Sequence, residues 1–402
     1  MAAWRAFATA DVTRVCLVLL LLNAADGMVS TLASAYVGSL GYPLADIGLL
    51  VSLYSIASLL SRMPAARLAD GHAAHRWLLG ACAAFAVSLA LYPVATEPWA
   101  LWSVRLLHGL SFGVATTLNF ATFLTVSARA PSHRARHTAL FTASWSGGYS
   151  IGNLASGILA DHYGFGLAFV LAAGCPLAAL VATPNVQPAP TATHAQPPAT
   201  WRVLLKSDVR AVPLLAFCVN FLMNLLTTLF PLYVLAIGQT LSVAGSARAV
   251  QSLTNTLVRP ISGSVVQRIG PLQLGSAGVA LTALAIATVP LTRETLVLLG
   301  LMIVVGAGRA VGVVANATGT VDLAERGVLK RGTASALMTA GGDLGSVIAP
   351  LLAGTTAAAI GMGPAMQVLA IGAAIGGIAV MLSGGAARRR DPTAIAPKKA
   401  SA

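Results

Sequence analysis

Four ionisable residues lie deep inside apolar stretches of the sequence: Asp26, Arg105, Arg309 and Asp343. Charge is costly in hydrocarbon, so residues of this kind are read as proton relays, solute contacts or paired anchors. Each half of the chain offers one carboxylate and one guanidinium, which predicts the pairs Asp26 with Arg105 and Arg309 with Asp343. Burial disfavours a carboxylate's charge and a neighbouring guanidinium restores it. Opening such a pair first to one side and then to the other would therefore take up and release a proton. Asp26 is the expected main proton-coupling group, with His108, three residues after Arg105, as a relay candidate. The alternatives are static ion pairs that fix helix packing and a hydrogen-bonded interior histidine.

Six amides, Asn23, Asn119, Asn220, Asn224, Asn255 and Asn316, fall in the same apolar stretches. They can line a polar route or tie helices together, and Asn23 and Asn220 are the expected cavity residues. A lining of Asn and Thr suits a neutral, weakly charged or amphipathic solute. A carrier of phosphate esters would need more than one well-placed arginine. No nucleophile, base or metal-ligand cluster assembles outside the apolar stretches and no Walker sequence occurs. That pattern argues against an enzyme and an ATP-driven pump, so no cofactor is expected and a proton gradient is the expected energy source.

The elements that must hold these residues follow from composition. Of 402 residues, 56% are hydrophobic and 9% charged, against about 25% charged in soluble proteins. About 20 apolar residues cross a bilayer, and twelve segments qualify, near 13–36, 45–68, 77–96, 99–127, 138–160, 165–182, 211–236, 244–269, 272–291, 295–322, 333–359 and 364–383. The expected fold class is an all-α membrane protein of twelve helices. The first segment is too long for a signal-peptide core and more spans follow it. The four cysteines lie inside spans and read as packing thiols.

With the N-terminus inside, all but four of the 25 Lys and Arg fall in inner segments, the exceptions being Arg105, Arg248, Arg293 and Arg309. The +13 formal charge is therefore mostly a topology signal, not a nucleic-acid footprint, which would gather on one face. Both termini are expected in the cytoplasm, with a Pro/Ala/Thr-rich linker at 183–208 and a basic tail at 385–402. The linker separates an N-terminal bundle (1–182) from a C-terminal one (209–384).

A gapless shift of 197 residues sets Asn23 on Asn220, Arg62 on Arg259, Asn119 on Asn316, and Gly157 and Gly164 on Gly354 and Gly361. Each copy has an even number of spans, so the halves run parallel about an axis along the membrane normal and leave a cavity between them.

The loop after the second span, SRMPAARLADGHAAHR, resembles the major facilitator superfamily's Gly-x-Leu-Ala-Asp-Arg-x-Gly-Arg-Arg signature through Leu68, Ala69 and Asp70. Ala66, Gly71 and Ala73 replace its Gly, Arg and Gly. The repeat copy, RPISGSVVQRIG, carries Arg259, Gly263, Arg268 and Gly270, with Gln267 in the Asp position. VRLLHGLSFG resembles the family's Arg-x-x-x-Gly motif at Arg105 and Gly109. GYSIGNLASG resembles its antiporter motif, with Asn153 in place of Pro and Ser156 in place of a Gly.

The resemblance implies secondary transport by alternating access. It also implies a cytoplasmic gate of Arg62, Arg67, Asp70, Arg259, Gln267 and Arg268, in which charges pair across helix ends. Proton-coupled efflux of a drug, metabolite or siderophore-like compound is the expected activity. Proton-linked uptake of a nutrient is the alternative, and a ligand sensor of the same fold is a third reading. The expected setting is the bacterial inner membrane, with lipid and a small-molecule substrate as partners and a monomer as the working unit.

Overall fold

The computed structural model describes residues 10–69, 71, 73–186, 207–326, 328–329 and 331–390. The expected linker beyond residue 186, Asp70, Lys330 and the tail from 391 lie outside them. In a bilayer every backbone N–H and C=O must be satisfied within its own segment, and helices do this. Eleven α-helices result among the described residues. They are α1 (Ala10–Ser39), α2 (Leu44–Ala69), α3 (Ala74–Leu91), α4 (Pro98–Ala128), α5 (Arg134–Ala182), α6 (Ser207–Ala236), α7 (Leu241–Ile269), α8 (Pro271–Thr288), α9 (Thr295–Glu325), α10 (Arg331–Ile360) and α11 (Met362–Arg390).

The count differs from twelve because α5 carries the fifth and sixth expected spans in one 49-residue run broken at Gly164, whose φ of 79° and ψ of 168° are non-helical. Only glycine takes such a backbone without strain. Ten helices are long and apolar enough to cross a membrane. The eighth expected span, α7, is not among them, because Arg248, Gln251, Asn255, Arg259, Gln267 and Arg268 interrupt its apolar run.

The internal repeat reappears in the element boundaries. α1 and α6, α3 and α8, and α4 and α9 begin and end at positions 197 residues apart. Gly41 and Gly238, equivalent under the same shift, both have positive φ, as do Gly164 and Gly361. One buried core joins residues of α1–α5, such as Leu22, Leu32, Phe85 and Phe169, and a second joins residues of α6–α11, such as Leu222, Phe230, Ile286 and Met302. Cys16, Cys82 and Cys218 are buried, Cys175 is half-buried, and all four are free thiols.

The halves meet through α2 with α10 and α5 with α7. Both close crossings lie toward the end where α1 finishes, called here the far end. A side chain on Gly48 would collide with Pro350 and Gly354, and one on Gly245 with Asn153 and Gly157. Gly48 and Gly245 are repeat equivalents, and so are Gly157 and Gly354. The two crossings are thus one packing device used twice, in which missing Cβ atoms let backbones touch. At the same end Asp161 caps α7 from the other half, accepting hydrogen bonds from the Leu241 and Ser242 amides at 3.1 and 2.7 Å.

Candidate substrate and proton site

Midway along the bundle, a cavity of about 200 Å³ opens between the halves. Its N-terminal wall presents Asp26, Ser30, Tyr54, Arg105 and Tyr149, and its C-terminal wall Asn224, Thr227, Arg248, Asn255, Arg259 and Arg309. The two walls carry different chemistry. Asp26 is the single carboxylate among the described lining residues, sharing the space with four guanidinium groups.

Asp26 sits midway along α1 and is 5% exposed. Its partners differ from the predicted one. Oδ1 accepts a hydrogen bond from the Tyr54 hydroxyl at 2.8 Å and lies 3.2 Å from His108 Nε2, while Oδ2 accepts from the Tyr149 hydroxyl at 2.6 Å. Arg105 does not reach the carboxylate. It donates to the Leu50 carbonyl at 3.3 Å and the Tyr92 hydroxyl at 3.1 Å, and its Cζ lies 4.7 Å from the Tyr54 ring centroid. The tyrosines of α2 and α5 are shorter routes to Asp26 than Arg105, and they occupy both carboxylate oxygens.

The histidine tautomer follows from this chain of donors. Because Tyr92 accepts from Arg105, its own proton is free for His108 Nδ1, 3.2 Å away. Arginine is never an acceptor, so the Arg105 Nη1 at 3.5 Å from that nitrogen suits an unprotonated Nδ1. His108 therefore carries its proton on Nε2 and donates it to Asp26. The ring is fully buried, stacked on Phe85 and flanked by Tyr54. An ionised Asp26 accepts three hydrogen bonds at once. A proton on Asp26 takes the remaining lone-pair site of the carboxylate and turns that oxygen into a donor, which weakens the three bonds the group accepts.

The predicted Arg309–Asp343 pair is also absent. Asp343 of α10 instead meets Arg62 of α2 across the two halves, at 3.1 Å. Arg62 therefore acts with Asp343. Arg309 stays in the cavity wall, its Nε without an acceptor, and the Nε atoms of Arg248 and Arg259 share that state. Arg248 donates through its other nitrogens to Thr227 at 2.8 Å and Gln251 at 3.3 Å. Arg309 feels the charge of Arg259, and Arg248 feels that of Arg309. No carboxylate lies within ion-pair distance of these three arginines among the described residues.

Of the six amides, Asn224 and Asn255 line the cavity. Asn23 and Asn220, the two favoured by the repeat, do not; their amide nitrogens bond back to Leu19 and Ala216 of their own helices. Asn119 ties α4 to the Val15 carbonyl of α1, and Asn316 is buried outside the lining. Asn119 thereby glues two helices, the packing use of buried amides. Arg67, Gln267 and Arg268 are exposed at the near end, and Arg259 belongs to the cavity. The expectation of a weakly charged lining is overturned by the same arginines.

Sequence reasoning missed Tyr54, Tyr92 and Tyr149, whose hydroxyls are invisible in a hydropathy pattern. It also left Arg248 as an exception to the inner-segment pattern, without a role. The signal was present in α7, where Arg248, Gln251, Asn255 and Arg259 recur every three to four residues and so share one helix face.

The sequence profile of the Major Facilitator Superfamily matches residues 15–329 and 236–402. Among solved structures, a bacterial homologue of the human lysosomal transporter Spinster, in an inward-facing and occupied conformation, superposes with a TM-score of 0.78 at 14% identity, covering 93% of this chain and 96% of that one. A point mutant of the nucleoside transporter NupG gives 0.77 at 14% identity, covering 92% and 99%. No curated protein matches by sequence. Both structural relatives are transporters, and the all-helical, multi-pass architecture agrees with theirs. By its family profile, which spans nearly the whole sequence, the chain belongs to the major facilitator superfamily.

Proposed function

We propose that the protein is a proton-coupled secondary transporter that moves a small organic molecule by alternating access, with Asp26 as the proton site. The observation that carries the reading is the placement of Asp26: a lone carboxylate in the wall of the inter-half cavity, held by donors from α2, α4 and α5. Taking up a proton weakens those bonds, because a neutral carboxyl accepts less strongly than a carboxylate, and each donor belongs to a helix that shapes the cavity. Protonation is thereby tied to rearrangement of the N-terminal half. Arg105 acts as a positioning residue, holding Tyr92 and the Tyr54 ring, and His108 as a fixed donor.

The unit is a monomer with twelve crossings, two of them the limbs of α5, lying in a bacterial inner membrane with both termini in the cytoplasm. The near-end excess of Lys and Arg supports this orientation. The far end is then extracellular, and the Gly48–Gly354 and Gly157–Gly245 crossings close it. Arg62 with Asp343 is a strut on the inner side of the cavity, and Arg67, Gln267 and Arg268 form the rim of the gate.

Export, which the antiporter-like motif of α5 suggests, needs substrate and proton to compete for one site. Uptake with the proton gradient needs them to bind together. The charge of the cavity favours uptake, because a proton on Asp26 removes the one negative charge among four arginines and strengthens attraction for an anion.

The test is Asp26→Asn in proteoliposomes, with a substrate found by thermal-shift screening of the purified protein. Accumulation driven by a pH gradient should vanish while downhill exchange and folding persist. Undiminished uphill accumulation in the variant would sink the proposal.

A further inference from the structure

The two halves are built on one plan but are charged differently. Under the repeat, the inter-half ion pair of Arg62 with Asp343 corresponds to Arg259 with Ser146. The guanidinium is kept and the carboxylate is replaced by a hydroxyl. Ser146 Oγ lies buried without a hydrogen-bond partner, and both residues line the cavity. Similarly, Met223 stands at the repeat position of Asp26 and Val51 at that of Arg248, and all four face the same space. The C-terminal wall has thus lost an acid at Met223 and gained a base at Arg248 relative to its own duplicate, and the N-terminal wall offers Arg259 a serine where the other crossing has an acid.

Three guanidinium groups in a space this small repel one another, and burying charge without a partner is destabilising. Arg248 is only 6% exposed. Each of the three retains an Nε donor with no acceptor, while Arg248 already uses its terminal nitrogens to fix its direction on Thr227 and Gln251. Groups aimed and left unfilled in a solute-sized space match planar oxyanions, which accept forked bonds from guanidinium. Static packing would be served better by Gln or Met at these positions.

We infer that the cavity takes a small organic oxyanion, a carboxylate or a phosphate ester, clamped by Arg248, Arg259 and Arg309. As the substrate class of the cavity proposed above, it rests on that reading for transport but not for binding. Asp26, once protonated, completes the site by withdrawing its negative charge from the opposite wall.

The experiment is thermal shift and calorimetry on the purified full-length protein. The probes are succinate, citrate and glycerol 3-phosphate, their neutral counterparts succinamide and glycerol, and the cation tetraphenylphosphonium. At least one anion should stabilise the protein in a saturable way while its neutral counterpart does not; the responding probe tells carboxylate from phosphate. Arg309→Gln and Arg248→Gln should each weaken that binding roughly ten- to hundredfold, the worth of a charged hydrogen bond, and Arg309→Lys by less. Should a Gln variant fail to fold, Arg309→Lys and Arg259→Lys, which keep the charge and lose the fork, carry the test through their smaller loss.

Stabilisation by none of the anions, or equal stabilisation by the neutral counterparts, would overturn the inference. Unchanged affinity in the folded arginine variants would do so too, by locating the anion elsewhere. Anion binding without any anion flux in proteoliposomes would instead keep the site and remove the transport reading.

Discussion

Tyr149 does two things with one hydroxyl: it donates to Asp26 Oδ2 at 2.6 Å, and its ring stands in the same wall that faces Arg248 and Arg309. A hydrogen bond to an ionised group is worth about 1.5–3 kcal/mol, and this one has that strength only while Asp26 is ionised. Tyr149→Phe should therefore slow proton release by about ten- to hundredfold, following that energy. Proton-driven accumulation should fall accordingly, while substrate exchange at equal pH should be nearly unchanged. Parallel losses in both assays would assign Tyr149 to substrate binding. The residue escaped the sequence reading because a tyrosine among Gly, Ser and Ile reads as packing, and its partner lies 123 positions away. Asp26 itself was legible, since an acid in an apolar stretch announces its cost wherever the helix goes.

At the scale of elements, the glycine crossings bring the two halves into backbone contact at the far end. Gly48 touches Gly354 and Gly157 touches Gly245 at the far end. Overpacking a tight contact costs about 1–3 kcal/mol, enough to shift a two-state balance by about five- to a hundredfold. Gly48→Val should move the population toward the far-end-open state without unfolding either half. Cysteines placed near Ser242 would then react faster with a membrane-impermeant maleimide added outside; unaltered labelling would mean that these crossings do not limit opening. The 197-residue repeat was readable in the chain because it preserves helix lengths, and α1 with α6 or α4 with α9 match end to end. The fusion of two expected spans into α5 was not, since continuity across Gly164 depends on how the following limb packs.

For the whole molecule, the Arg62–Asp343 bridge is the ion pair between the halves among the described residues, and it lies toward the near end, opposite the glycine crossings. Arg62 is 44% exposed, so the pair's worth is that of a screened contact, about 1 kcal/mol or less. Asp343→Asn should widen the near end only modestly, by at most about fivefold in population. Spin-label distances between α2 and α10 would report it, and a complete loss of near-end closure would show the bridge to be the gate itself. Length, apolar runs and the sidedness of Lys and Arg were enough to determine a helical, twofold-repeated membrane protein, because those constraints are local and periodic. Which acid met which base was decided by tertiary structure alone. Asp26 was satisfied by tyrosines from neighbouring helices, and Asp343 was taken by Arg62. Arg248, Arg259 and Arg309 were left facing one cavity, because pairing depends on the rotation and depth of whole helices, which no single segment encodes.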